Sequence, residues 1–271
     1  MCPKPSSLRF GLALLLLLAG HGPLAAFSPY ESYLASGEAT QVGLIAALRP
    51  ESGAEIPTLF ETLDEAYVVR ALAREGIRGL SIFSREIDGS PHLVARFLYD
   101  GDRSYLGAAE AFERATGSLD WETHLEPHPR ALRYGRIWLQ MEWINHIRGD
   151  RTPGPPKDRV LLACEIIPEK EAHYRTLHQT VWPGVVDQAI RGRIRDLGIF
   201  LVELDERLIE FLYLEYMGRD AEGDDAANKA DPVNQRWWRQ TDACQRPLPG
   251  VTGGIWSPLL QRYPAQPPEV P

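Results

Sequence analysis

The sequence repeats itself on the scale of a whole domain. Ile82-Phe83 aligns with Ile199-Phe200, and Arg49-Pro50-Glu51 aligns with Ile167-Pro168-Glu169, an offset of 117 to 118 residues. Such a period is longer than that of solenoid repeats and matches a complete small unit. The chain therefore contains two copies of one fold, and its architecture has to place these copies together.

Each copy shows the element order β-α-β-β-α-β. In the second copy, strands are predicted at 160–166, 198–203, 208–217 and 255–263, with helices at 170–195, broken at Pro183, and at 226–240. In the first copy, strands are predicted at 42–48, 80–83, 93–99 and 135–143, with helices at 57–74 and 104–114. One such unit has helices on a single face of its sheet, so its other face must be covered. We predict an α+β protein in which tandem ferredoxin-like units pack sheet to sheet as a pseudo-dimeric α+β barrel.

The chain divides into five segments. Residues 1–26 carry Lys4 and Arg9, a short apolar run and the small residues Ala25-Ala26, which is typical of a secretory signal peptide. Residues 27–148 form the first ferredoxin-like unit, 149–158 a linker rich in Pro and Gly, 159–264 the second unit, and 265–271 a tail. We expect an exported protein, periplasmic or secreted, that is soluble and away from the membrane once the signal is cleaved. An uncleaved N-terminal anchor is the alternative.

Composition limits the classes of function. The formal net charge is −8 and the basic residues are scattered, so nucleic acid is not an expected partner. After cleavage two cysteines remain, Cys164 and Cys244, which we expect to be free and partly buried, although export permits a disulfide between them. Their spacing from the scattered histidines does not fit a zinc site, so no metal is expected.

Two phrases in the second copy concentrate His, Tyr and Trp. Residues 171–183 read Glu-Ala-His-Tyr-Arg-Thr-Leu-His-Gln-Thr-Val-Trp-Pro, and residues 234–238 read Asn-Gln-Arg-Trp-Trp. Flat aromatic walls stack on pyranose faces, and an imidazole moves protons between hydroxyl groups near neutral pH. The combination indicates carbohydrate chemistry.

Residues 160 to 263 resemble the L-rhamnose mutarotase family. The matching pieces are His173-Tyr174, His178, Trp182-Pro183, the hairpin Gly198-Ile199-Phe200-Leu201, the strand phrase Leu214-Glu215-Tyr216-Met217, and Gln235-Arg236-Trp237-Trp238. The resemblance implies a ferredoxin-like fold that dimerises into an α+β barrel and interconverts the anomers of an L-sugar without metal or organic cofactor. Residues 246–254 offer few polar side chains where the family is rich in Pro, Asn and Asp, so the resemblance leaves the sugar unidentified.

Three residues are candidates for the proton transfers. Tyr174 and His178 are spaced i, i+4, so both project from one stripe of a helix. We hypothesise that His178 is the general acid toward the ring oxygen and that Tyr174 or Glu215 removes the proton of the anomeric hydroxyl. Glu215 shares strand parity with Phe211 and Tyr213, where burial would raise its pKa. The alternatives are a surface histidine and an exposed glutamate.

The substrate-binding candidates are Trp182, Trp237, Trp238, Asn234 and Arg236. Adjacent tryptophans on a helix point about 100° apart, so we expect one in the core and the other lining the pocket. Capping or surface roles are the alternatives for the two polar residues. In the first copy, Ile56, Phe60 and Asp64 occupy the positions of Tyr174, His178 and Trp182, so that copy should be catalytically silent.

The sequence thus predicts a mutarotase-like carbohydrate isomerase that binds a monosaccharide through its second copy. Because the fold does not fix the function, two alternatives stay open. One is a sugar-binding module without catalysis, and the other is a monooxygenase of the dimeric α+β barrel type. The chain could act as an intramolecular pseudo-dimer or pair again as a homodimer.

Overall fold

The computed structural model describes residues 39–52, 60, 65–102, 104, 106–150 and 152–264. The predicted signal peptide and the tail lie outside these ranges, and export stays a prediction. Among the described residues, no helix combines the length and the apolar character that crossing a bilayer requires.

Within its described residues, the first copy has six strands and four α-helices. Its strands are β1 (Thr40–Leu48), β2 (Ile77–Ile87), β3 (Ser90–Tyr99), β4 (Leu125–Glu126), β5 (Leu139–Gln140) and β6 (Glu142–Arg148). Its helices are α1 (Glu65–Arg74), α2 (Gly107–Ala115), α3 (Trp121–His124) and α4 (Pro129–Leu132). Part of the segment predicted as the first helix, at 53–59 and 61–64, lies outside the described residues.

The second copy supplies the same set at nearly the same spacing. Its strands are β7 (Asp158–Ile166), β8 (Ile194–Leu204), β9 (Arg207–Tyr216), β10 (Gln245–Arg246), β11 (Ser257–Pro258) and β12 (Leu260–Tyr263). Its helices are α5 (Glu171–Gln179), α6 (Pro183–Arg191), α7 (Ala221–Ala230) and α8 (Pro232–Thr241). The three long strands of the first copy recur 117 or 118 residues later, which confirms the internal repeat.

The two sheets have the same strand order. The first runs β2-β3-β1-β4 and the second runs β8-β9-β7-β10, with all pairs antiparallel. This is the order of a split β-α-β unit, so the prediction of tandem ferredoxin-like units is confirmed. Phe83 and Val94 of the first sheet lie in one apolar cluster with Phe200 and Phe211 of the second. The sheets therefore face each other across a shared core.

The last strand of each copy crosses to the other sheet. We expected segments 135–143 and 255–263 to close their own sheets. Part of each segment does so, since β5 pairs with β1 and β11 pairs with β7. The strands that follow them do not, because β6 pairs with β8 and β12 pairs with β2. Period-2 alternation marks a segment as a strand but carries no information about which edge it joins. Because each sheet holds a strand from the other copy, the two copies interlock.

Two helices of the second copy begin at a proline. Trp182 is extended at φ −61° and ψ 134°, and α6 begins at Pro183, so the predicted break is confirmed. The single helix predicted at 226–240 is wrong, because Pro232 starts a separate helix, α8. Asp231 caps that helix by accepting hydrogen bonds from the backbone N–H groups of residues 233 and 234, at 2.8 and 3.1 Å.

Candidate active site

A cavity of about 250 Å³ lies between the second sheet and its helices. Helices α5, α6 and α8 form one side, and the helix-facing side chains of β6, β8 and β9 form the other. Most lining side chains are apolar, among them Ile147, Val185 and Leu212. The polar lining groups include Tyr174, His178, Glu210 and Gln245, all of which are buried. The cavity is thus an apolar pocket with a buried polar cluster.

Helix α5 delivers Tyr174 and His178 to the cavity together. They are the two buried residues of this helix, and their ring centroids are 4.3 Å apart. The i, i+4 spacing of the sequence therefore places both rings on the cavity side, as expected. Asn145 of β6 donates from Nδ2 to the backbone carbonyl of His178 at 3.0 Å, which ties the end of α5 to the exchanged strand.

The hydrogen bonding of His178 defines its tautomer. Its Nδ1 lies 3.0 Å from the backbone carbonyl oxygen of Tyr174. Because a carbonyl oxygen only accepts, Nδ1 carries the hydrogen, and in the neutral ring Nε2 is then an acceptor. Burial lowers the pKa of His178 to about 4, so the ring is neutral at physiological pH. Among the described residues, Nε2 has no hydrogen-bond partner, and His178 therefore presents a base.

Trp237 holds the imidazole from the side. Its ring meets His178 edge to face, at a centroid distance of 5.3 Å and an interplanar angle of 78°. Trp182 meets Trp237 in the same way, at 5.4 Å and 75°. Helices α6 and α8 approach closely here, since a Cβ at Gly184 would lie only 2.9 Å from Val233. The bend before Pro183 thus brings Trp182 against Trp237.

The other substrate-binding candidates divide between the cavity and the surface. Trp237 is buried and Trp238 half-buried, and both line the cavity, whereas we expected one to belong only to the core. Asn234 is buried at the cavity wall and donates from Nδ2 to the side-chain oxygen of Asn228. Arg236 is exposed and is not among the residues that line the cavity. Trp182 reaches the cavity only through its contact with Trp237.

Glu215 lies on the opposite face of the second sheet. Its parity with Phe211 and Tyr213 holds, but that face is turned toward the first sheet. There its carboxylate accepts hydrogen bonds from Arg195 Nε and Tyr213 Oη, both at 2.8 Å, and lies 3.7 Å from Arg96 of the first copy. The structure therefore does not bring Glu215 to His178. It belongs to a buried ion cluster that joins the two copies.

A different carboxyl group, Glu210, lies in the cavity wall. Its Oε1 accepts a hydrogen bond from Tyr174 Oη, and its Oε2 contacts Gln245 Nε2 at 2.7 Å and Cys164 Sγ at 3.4 Å. Burial raises the pKa of Glu210 to about 7. We missed this residue, although a lone glutamate between Ile209 and Phe211 is a visible signal in the sequence. Its parity with Leu208 and Leu212 puts it on the face that meets the helices.

Two other features carry less chemistry. Cys164 and Cys244 are buried, free cysteines, and burial raises the pKa of the Cys164 thiol, so this thiol is not a nucleophile. Within the described ranges, no group of three or more His, Cys, Asp or Glu side chains is arranged to hold a metal ion.

A larger groove of about 800 Å³ lies where the two copies meet. It is lined by residues of both, including Gln41 and Trp143 of the first and Arg175 of the second. Arg175 is already paired with Glu142 at 2.6 Å and Glu171 at 2.8 Å. Because the neutral histidine and the carboxyl group of raised pKa are in the smaller cavity, we place the candidate site there.

Comparison with solved structures found proteins of similar fold. Three similar solved structures cover most of this chain. One is a candidate monooxygenase from Fusobacterium nucleatum subsp. nucleatum ATCC 25586, with 9% identity, 83% of this chain and 91% of that chain covered, and a TM-score of 0.47. Another is a candidate monooxygenase from Lactobacillus acidophilus NCFM, with 10% identity, 82% and 94% coverage, and a TM-score of 0.45. The third is an anthrone oxidase-like protein, with 14% identity, 83% and 90% coverage, and a TM-score of 0.40.

No curated protein matches this sequence. Residues 159–263 match the family model for L-rhamnose mutarotase. Over these residues, the second copy is therefore similar to the L-rhamnose mutarotase family, and the predicted resemblance is confirmed.

Proposed function

We propose that the second copy is a carbohydrate isomerase that interconverts the α and β anomers of an aldose. The observation that carries this proposal is the state of His178, a neutral imidazole whose Nε2 is an acceptor at the wall of a cavity with aromatic sides. The match of residues 159–263 to the L-rhamnose mutarotase family supports the same reaction class. The ligand would be a monosaccharide in its pyranose form.

Anomer exchange needs two proton transfers. A base removes the proton from the anomeric hydroxyl while an acid protonates the ring oxygen, and the bond between C1 and the ring oxygen breaks. The open aldehyde then rotates about its C1–C2 bond and recloses, with both protons returned. Because burial lowers the pKa of His178, we assign it as the base in ring opening, which reverses the acid role that we expected from the sequence.

The aromatic residues would orient the sugar. Trp238 is half-buried in the cavity wall and offers part of its indole to a ligand. Trp237 is buried against His178, so its contribution is mainly to fix the imidazole. Asn234 lies at the same wall and could bind a hydroxyl group through its free oxygen. Arg236 has no place in this proposal, because it does not line the cavity.

The test is NMR exchange spectroscopy of the purified protein across a panel of L- and D-aldoses, with tryptophan fluorescence followed in the same samples. The proposal predicts faster exchange between the anomers of at least one sugar. A fluorescence change without faster exchange would favour the sugar-binding module instead. If neither signal responds to any aldose, the proposal is wrong.

A second candidate function follows from the apolar character of the cavity. Side chains such as Val181, Leu197 and Trp256 leave few partners for a fully hydroxylated sugar. They would suit an apolar ring compound, with His178 as the base that removes an acidic C–H proton, as in a monooxygenase of this fold class. Turnover of a hydroxylated aromatic ketone with oxygen uptake, and no anomer exchange, would select this alternative.

A further inference from the structure

Glu210 is held by three elements of the second copy. It is the register partner of Cys164 across β7 and β9. Tyr174 approaches from α5, and Gln245 approaches from β10, with its Nε2 also 3.4 Å from Tyr174 Oη. All four side chains are buried, and Glu210 has no exposed surface. A carboxyl group in such a place is expensive unless each of its oxygens has a partner.

The partners of Glu210 decide where its proton can sit. Oε2 faces Gln245 Nε2, which can only donate, and Cys164 Sγ, whose thiol hydrogen can also point to it. Tyr174 Oη, which faces Oε1, is a stronger acceptor than the sulfur of Cys164, so the neutral carboxyl group carries its hydrogen on Oε1. In that state Glu210 donates to Tyr174. The tyrosine hydrogen must then point away from Glu210.

When Glu210 is ionised, the same hydrogen bond reverses. Oε1 then accepts, and the Tyr174 hydroxyl donates its single hydrogen to the carboxylate. Tyr174 has no hydrogen left for a ligand in that state. The Tyr174 hydroxyl therefore has two states. It can donate toward the cavity when Glu210 is neutral, and it donates to the carboxylate when Glu210 is charged.

We propose that Glu210 is a positioning residue that orients the Tyr174 hydroxyl to act as the general acid of the reaction. The neutral carboxyl group turns the tyrosine hydrogen toward the sugar ring oxygen, and the charged one withdraws it. This inference rests on the proposed function, because anomer exchange needs a general acid in addition to the base His178. It deepens that proposal by making the isomerase active only while Glu210 keeps its proton.

The proton count closes over one turnover. On ring opening, Tyr174 Oη passes its hydrogen to the ring oxygen as the bond to C1 breaks, and Glu210 Oε1 passes its hydrogen to Tyr174. The anomeric hydroxyl gives its hydrogen to His178 Nε2, so the protein holds an imidazolium and a carboxylate while the sugar is open. Ring closure reverses each transfer, and no co-reactant is consumed.

The surroundings of Glu210 support a switch near neutral pH. The titratable groups around it are Tyr174 and His178 on α5, Cys164 on β7, and Cys244 and Asp242 after α8. Burial raises the pKa of Glu210 to about 7, and its hydrogen bonds with Tyr174, Gln245 and Cys164 oppose that rise. Since both thiols and Tyr174 have pKa values raised by burial, they stay protonated across the range in which Glu210 titrates.

The test combines an infrared measurement with a pH profile. The wild-type protein at pH 6 should show a carboxylic acid C=O band that disappears by pH 8.5 and is missing in Glu210→Gln. In Tyr174→Phe the band should move to higher frequency, because the carboxyl group has lost its acceptor. A band that Tyr174→Phe leaves in place would overturn the proposal, and so would the absence of any band specific to Glu210.

The kinetic arm separates this inference from the proposed function. Enzyme-accelerated anomer exchange should fall about tenfold per pH unit above pH 7 in the wild type. In Glu210→Gln the rate is lower throughout, because an amide relays no proton, but the fall above pH 7 is lost. His173→Ala, which changes an exposed residue of α5, should keep the wild-type profile. A fall above pH 7 in Glu210→Gln would overturn the inference. If no sugar responds in the wild type, the proposed function fails, and the infrared arm still decides the Glu210–Tyr174 pair.

Discussion

The space between sheet and helices is a cavity in the second copy, whereas the described residues of the first copy form a packed aromatic core there. In the first copy Phe97, Phe112, Trp121 and Trp138 fill it, each no more than 3% exposed. Phe112 alone meets three of these rings, at centroid distances of 5.4, 6.2 and 5.3 Å. One backbone plan therefore supports either a packed aromatic core or an apolar pocket with a buried polar cluster.

The strand register shows which positions make the difference. Ala46 pairs with Leu93 in the first sheet where Cys164 pairs with Glu210 in the second. Likewise, Leu48 pairs with Leu125 where Ile166 pairs with Gln245. The polar cluster of the second copy thus corresponds to apolar side chains in the first. Phe60, at the position of His178, packs against Trp121 with their ring centroids 6.4 Å apart instead of facing a cavity.

In the second copy, the polar cluster and the cavity replace part of the apolar core that the first copy has. Among the described residues, the apolar cluster on the helix face of the first sheet has 23 buried members, and the corresponding cluster of the second sheet has six. A cavity with a buried carboxyl group is destabilising, so its presence in one copy marks the place where function and stability compete.

Leu93→Glu should give the largest effect. It places a carboxyl group where Glu210 stands in the other copy, but without a tyrosine or glutamine beside it in the register. An unpaired buried charge costs about 3–5 kcal/mol, so the unfolding free energy in urea should fall by that amount. The reciprocal change, Glu210→Leu, should leave stability at pH 8 equal or higher. Equal losses in the two variants would show that the copies do not differ in this way.

A pH titration of stability sharpens the same contrast. The folded-state pKa of Glu210 is raised from 4.5 to about 7, so its contribution is fully present below pH 4.5 and is lost as the pH rises through 7. The loss is on the order of 3 kcal/mol. Glu210→Gln should therefore unfold less readily than the wild type at pH 8 but not at pH 4.5. A constant difference between the two proteins across this range would contradict the buried, titrating Glu210.

His178 should act in the opposite direction on the acid side. Its pKa is lowered from 6.5 to about 4, so the stability that it contributes is present above pH 6.5 and is lost as the pH falls through 4. This acid-side loss should persist in Glu210→Gln, whose own titration has been removed. Urea unfolding at pH 4 and pH 7 measures it.

Gln245→Leu, which copies Leu125 of the first copy, should give the smallest effect. The variant removes a donor from ionised Glu210, so the pKa of Glu210 should rise further. The alkaline limb of anomer exchange should move upward by about 1 pH unit, the equivalent of about 1.4 kcal/mol. An unmoved limb would mean that Gln245 does not act on the charge of Glu210.

Much of the fold could be predicted from the sequence, because turn residues and apolar runs recur in both copies. The strand exchange could not be predicted, because alternation does not report the partner edge. The two faces of each sheet are both covered, so parity grouped Glu215 with Phe211 and Tyr213 but could not say which face meets the helices. Glu210 was missed for the same reason. Tyr174 and His178 were found because helical spacing places them on one stripe.

The central claim is that His178 is a neutral base in a sugar cavity. The most direct measurement compares anomer exchange in His178→Ala and in His173→Ala, which alters the exposed neighbour on the same helix. We predict that His178→Ala loses about a hundredfold or more of the acceleration while His173→Ala keeps the wild-type rate. Wild-type acceleration in His178→Ala would contradict the account.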